Sequence, residues 1–124
     1  MFRSFAPFRI RLLSFAAVAI VASAFAGSAL ASGTHATATT VKVAASEFKF
    51  VLSTKTAAAG AVTFVVTNKG HIAHDFKIDG KKTALLQPGK SAKLTFTLKA
   101  GKYPYLCTVP GHAAAGMKGT FVVK

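Results

Sequence analysis

Eleven residues near the end of the chain, Cys107 to Met117, hold the only cysteine and the only methionine besides Met1, with His112 midway between them. The spacing is Cys-x4-His-x4-Met. A thiolate, an imidazole and a thioether are the soft and intermediate ligands that hold Cu(I) and Cu(II). Two nitrogens and a thiolate in a trigonal set, with a weak axial Met, make the blue-copper arrangement. The stretch contains no Asp, Glu or further Cys, which argues against a hard-cation site or an iron–sulfur cluster. Zinc accepts the same ligand types, but Cu(II) outcompetes it at most such sites. Val109 and Ala113 to Ala115 would exclude water without adding competing ligands. A second histidine must come from elsewhere, and the run from Asn68 to Phe76 offers His71 and His74.

The ligands need elements that converge on one point. From Val41 onward the apolar pattern has period two, in short runs cut by glycine and proline, which predicts an all-β sandwich of seven to eight strands. Val41 and Val43 alternate with Lys42 and Ala44, and Phe48, Phe50 and Leu52 alternate with Lys49 and Val51. The parity changes near Ser46 and Glu47, where a bulge or strand switch is expected. Val62, Phe64 and Val66 form another inward face. The next strand is expected to send His74, Phe76 and Ile78 inward and Asp75, Lys77 and Asp79 outward, then turn at Asp79-Gly80. That parity favours His74 as the ligand and leaves His71 as an exposed rim residue after Gly70. Lys81 to Gln87 reads as a loop or a single helical turn closed by Pro88-Gly89. Leu94, Phe96 and Leu98 mark a half-buried strand, Tyr103, Tyr105 and Cys107 share a face, and Phe121 and Val123 share a face of the last strand. Pro110-Gly111 offers a turn between Cys107 and His112, and Gly116 relaxes the backbone before Met117.

Arg3, Arg9 and Arg11 precede an apolar or small run from Leu12 to Ala31 that ends in Ala29-Leu30-Ala31. This is the pattern of a secretory signal peptide over residues 1–31, cleaved before Ser32. Left uncleaved, the same run is long enough to tether the chain to a membrane. Residues 32–40, including His35, read as a flexible leader, and residues 41–124 as one domain. An exported chain with a single cysteine cannot form an internal disulfide. A bound metal would occupy the thiol and add its binding free energy to folding. Beyond residue 31 the chain has thirteen lysines against Glu47, Asp75 and Asp79, a formal net of +10. That balance favours acidic partners or an anionic membrane surface. It does not suggest nucleic acid, because no arginine remains for bidentate readout and no nucleic-acid motif is present.

Asn68-x-Gly70-x3-His74-Asp75-Phe76 together with Tyr103-x-Tyr105-x-Cys107-x2-Pro110-Gly111-His112-x4-Met117 resembles the cupredoxins, the blue-copper family of plastocyanin, azurin and auracyanin. The similarity covers residues 41–124. It implies a Greek-key β-sandwich with one type 1 copper held by His74, Cys107, His112 and Met117. Asp75 departs from the family pattern, which often has Asn after the first histidine to tie the two ligand loops together. Asp75 is expected to accept hydrogen bonds from the Thr108 hydroxyl or backbone instead, and its charge to lower the reduction potential.

The function this describes is a small exported, periplasmic electron carrier, monomeric, cycling one copper between Cu(I) and Cu(II) for redox protein partners with acidic docking surfaces. Four protein ligands leave no open position for a substrate, so no enzyme activity is expected. A copper carrier or store without electron transfer is the alternative, although such proteins favour exposed Met and His clusters and only Met117 remains beyond the leader.

Overall fold

The computed structural model describes residues 37–124, which form nine strands in two sheets. The expected signal peptide at 1–31 lies outside them, as does His35, and β1 begins at Thr39, inside the stretch expected as a flexible leader. The strands are β1 (Thr39–Ser46), β2 (Lys49–Leu52), β3 (Thr56–Ala57), β4 (Gly60–Asn68), β5 (Lys77–Ile78), β6 (Lys81–Lys82), β7 (Ser91–Leu98), β8 (Gly101–Leu106) and β9 (Lys118–Val123). Three of them have only two residues. One sheet runs β2-β1-β4-β7 and the other β3-β9-β8-β5-β6. Both are mixed, with parallel pairs β1/β4 and β3/β9 and antiparallel neighbours elsewhere.

Period-two patterning explains which faces meet. Val41, Val43, Val62, Phe64 and Val66 of the first sheet are buried, as are Ile78, Tyr105, Phe121 and Val123 of the second. Burying a side chain of this size contributes about 1.5–3 kcal/mol. Phe64 sits at the centre, with ring centroids 5.1 Å from Phe121, 5.6 Å from Phe76 and 6.0 Å from Phe96. A smaller apolar cluster of Ala45, Cys107 and Met117 lies at one end, with Phe50 packed against both clusters. The metal-ligand types therefore join the core at its edge.

The four edge strands carry or adjoin lysine. Lys49 lies in β2, Lys93 in β7, Lys81 and Lys82 form β6, and Lys55 directly precedes β3.

Three expectations need correction. Lys81 to Gln87 is neither a plain loop nor a helical turn, since Lys81–Lys82 pairs with β5 and Leu86 bridges His74. The parity change at Ser46 and Glu47 is neither a bulge nor a strand switch. The chain reverses there in a two-residue turn, pairing Ser46 with Lys49, Ala45 with Phe50 and Val43 with Leu52. Phe48 therefore sits in the turn, 41% exposed, and does not point inward with Phe50 and Leu52. Asp75 is buried, not outward, because the chain before Lys77 is held by a single bridge from His74 to Leu86 and lacks a strand's strict alternation. Asp79-Gly80 does turn, with both residues at positive φ (47° and 74°), which suits a two-residue hairpin.

Candidate metal centre

Asn68, at the end of β4, shapes the approach to His74. Its buried side chain donates from Nδ2 to the Ile72 carbonyl at 2.7 Å and the Leu86 carbonyl at 2.8 Å, while Oδ1 accepts the Gly70 N–H at 2.8 Å. His74 then bonds through its backbone to Leu86 in both directions, at 3.1 and 2.7 Å. Its ring is fully buried.

The Cys107–Met117 loop is closed by its own backbone. The His112 N–H donates to the Val109 carbonyl at 3.1 Å across Pro110-Gly111, with Gly111 at φ 83°, a type II turn. The Met117 N–H donates to the His112 carbonyl and the Cys107 N–H to the Met117 carbonyl, both at 3.1 Å. Each of the loop's three ligand types is thus tied to another.

The two segments meet at one point. His74 Nδ1 lies 3.1 Å from His112 Nδ1, and Cys107 Sγ lies 3.6 Å from the same nitrogen. The donor atoms of these three buried residues all lie within 4.8 Å of one another. Met117 is fully buried and packs in one cluster with Cys107. His71, by contrast, is exposed (96% of its side chain) and does not join the group.

Two nitrogens and one sulfur, converging with no carboxylate among them, fit a borderline-to-soft ion such as copper. Burial pushes the Cys107 thiol above its ordinary value. A coordinated metal would remove that proton outright.

Asp75 links the segments. Its Oδ1 accepts the Thr108 N–H at 2.6 Å and its Oδ2 accepts the Thr108 hydroxyl, with Lys82 Nζ 4.0 Å away.

Sequence reasoning missed Glu47 and Phe48, the two residues of the β1–β2 turn. Glu47 Oε1 accepts the His71 N–H at 2.7 Å and the Ile72 N–H at 3.0 Å, and lies 3.1 Å from His74 Nε2. The N–H groups of Ile72 and His71 hold its carboxyl down at about 2. The Phe48 ring packs edge to face with His112, centroids 5.0 Å apart. One signal was available: Glu47 is the only glutamate in a strongly basic chain.

The family model for the cupredoxin-like domain matches residues 14–123. The chain belongs to that family, and His74, Cys107 and His112 are grouped as a candidate type 1 copper site. Among curated relatives, Auracyanin-B of Chloroflexus aurantiacus is 55% identical over 42 residues, covering 33% of this chain and 18% of the relative. The copper-resistant cuproprotein CopI of Pseudomonas aeruginosa is 45% identical over 49 residues, covering 39% and 27%. The matched parts span less than a third of either relative's length. Among solved structures, dithionite-reduced auracyanin from Roseiflexus castenholzii superposes with a TM-score of 0.61 at 24% identity, covering 70% of this chain and 98% of that one.

Proposed function

We propose that this protein is a blue-copper electron carrier whose ion is held by His74, Cys107 and His112, with Met117 as the axial ligand. The observation that carries the reading is the convergence of two buried imidazole nitrogens and one thiol from segments more than thirty residues apart. Copper held there would supply one-electron exchange between Cu(I) and Cu(II). The chain's part is to keep the donors in one geometry for both oxidation states. Burial in the end of a sandwich core, with backbone bonds closing the loop, supports that rigidity. With all four positions filled by protein, the site serves electron transfer and not bond-making with a substrate.

The electron crosses at the small solvent-facing edge of His112, which is 8% exposed. Ala114 and Ala115 beside it are exposed and small, so a partner can approach closely. Lysines steer partners with acidic surfaces to a monomeric carrier. The arginine-led apolar start and Ala29-Leu30-Ala31 support export to the periplasm with residues 1–31 removed.

The test is a visible and electron-paramagnetic-resonance spectrum of the purified protein after Cu(II) addition, beside Cys107→Ser. An intense thiolate-to-copper band with a narrow hyperfine pattern, lost in the variant, is expected. A colourless protein, or a copper signal indifferent to Cys107, would overturn the reading.

The match to a copper-resistant cuproprotein favours one second reading, copper handling without electron transfer. Fast electron self-exchange with slow release of copper to a chelator would exclude it; the reverse pattern would establish it.

A further inference from the structure

Glu47 stands at the tip of the β1–β2 hairpin, far in sequence from every candidate ligand, yet its carboxylate meets the buried face of one of them. Oε1 is fixed by two backbone N–H groups, those of His71 and Ile72, and lies 3.1 Å from His74 Nε2. Oε2 lies 3.7 Å from Nδ1 of exposed His71. Gly70 leaves room for this arrangement. A Cβ built there would collide with both carboxylate oxygens and come within 2.8 Å of the Glu47 Cδ. The backbone therefore both holds the carboxylate and clears a space for it.

The chemistry follows from the imidazole. A neutral ring carries its proton on one nitrogen and a lone pair on the other. His74 Nδ1 faces His112 and Cys107, while Nε2 faces Glu47. A carboxylate only accepts, so the proton belongs on Nε2 and the lone pair on Nδ1 points at the other donors.

We propose that Glu47 is a positioning residue for the metal centre: it fixes His74 as the Nε2–H tautomer, presenting Nδ1 as a ready ligand, and its charge strengthens that ligand toward Cu(II). The first half concerns the metal-free protein alone; the second rests on the copper reading above. Carboxylate partners of this kind raise the basicity of a ligating histidine, and their loss typically costs 10–100-fold in metal affinity.

The experiment records nitrogen-15 spectra of the His74 ring in metal-free protein at mildly alkaline pH, for the wild type, Glu47→Gln, Glu47→Ala and Gly70→Ala. Copper affinity and reduction potential of the same four proteins are then measured. Gln retains an acceptor oxygen without the charge. It should keep the Nε2–H tautomer and bind copper with a raised potential. Glu47→Ala should mix the tautomers and weaken copper binding 10–100-fold. Gly70→Ala displaces the carboxylate without removing it and should do the same, so it decides the matter if Glu47→Ala does not fold. A wild-type ring protonated on Nδ1, or a tautomer unaltered in both alanine variants, would reduce Glu47 to a loop staple and overturn the proposal. Loss of the tautomer preference in the alanine variants of a protein that binds no copper would instead sink the copper reading and leave the tautomer assignment standing.

Discussion

The Asp75 carboxylate accepts both the backbone N–H and the hydroxyl of Thr108, so the residue after His74 is bonded to the residue after Cys107. It thereby sets the distance between the two ligand segments. Replacing Asp75 with Ala leaves two Thr108 donors without their acceptor and should lower stability by about 1–3 kcal/mol, read by chemical denaturation of the metal-free protein. Asp75→Asn keeps one acceptor oxygen and removes the charge. Its copper form should have a raised reduction potential, and an unchanged potential would show that the charge does not reach the ion.

Asn68 satisfies three backbone groups from one buried side chain. Asn68→Ala should cost at least about 2 kcal/mol, since several of these groups lose their partner at once. The loss should be local as well as global. Hydrogen exchange at Gly70 and the residues leading to His74 is expected to speed up well before the rest of the sheet is affected.

Gly119 lies directly opposite Tyr105 in the β8/β9 ladder, and an added Cβ would collide with the Tyr105 hydroxyl end. The ring has little freedom to yield, because it packs against Phe76 at 5.4 Å and Phe50 at 5.9 Å. Gly119→Ala should therefore destabilise the fold by about 1–3 kcal/mol. Pairing it with Tyr105→Phe, which removes the hydroxyl, should recover part of that loss in a double-mutant cycle.

Phe48 is half exposed while its ring rests on His112. Phe48→Ala should cost about 0.5–1.5 kcal/mol of ring-pair interaction beyond lost apolar burial. It also opens the imidazole to water. Reduction of the copper form by small inorganic ions should become faster, measured by stopped flow, while the visible band stays.

The alternation of apolar residues was enough to place β4, β7, β8 and β9, since each lies on a core that needs one face buried and one wet. Parity favoured His74 over His71 and His74 is the buried one, although the segment that holds it is no strand and its alternation does not hold. The β1–β2 turn was not legible, because Glu47 and Phe48 are not the Asn-Gly or Asp-Gly residues that announce a two-residue hairpin. An aromatic there continues the period-two pattern and hides the reversal. Asp75 was placed outward for a related reason. Parity assumes a regular strand, and the hydrogen bonds of Thr108 hold that carboxylate where no ladder exists. The short pieces β3 and β5 are set by β9 and β8, partners distant in sequence that a local pattern does not record, and β6 is only the two-residue return of the Asp79-Gly80 hairpin.

The lysines, read at first as a field for steering partners, also decide what this sandwich will not do. Two open sheets present four edges, each with a row of unpaired backbone groups that could template a further strand from another copy. Lys49, Lys55, Lys81, Lys82 and Lys93 put positive charge in or beside all four. A second chain seeking to extend either sheet would have to bring its own lysines alongside these and bury them. The same cations that attract an acidic partner therefore guard against fibre formation, and variants that neutralise edge lysines risk polymerisation even where every ligand remains in place.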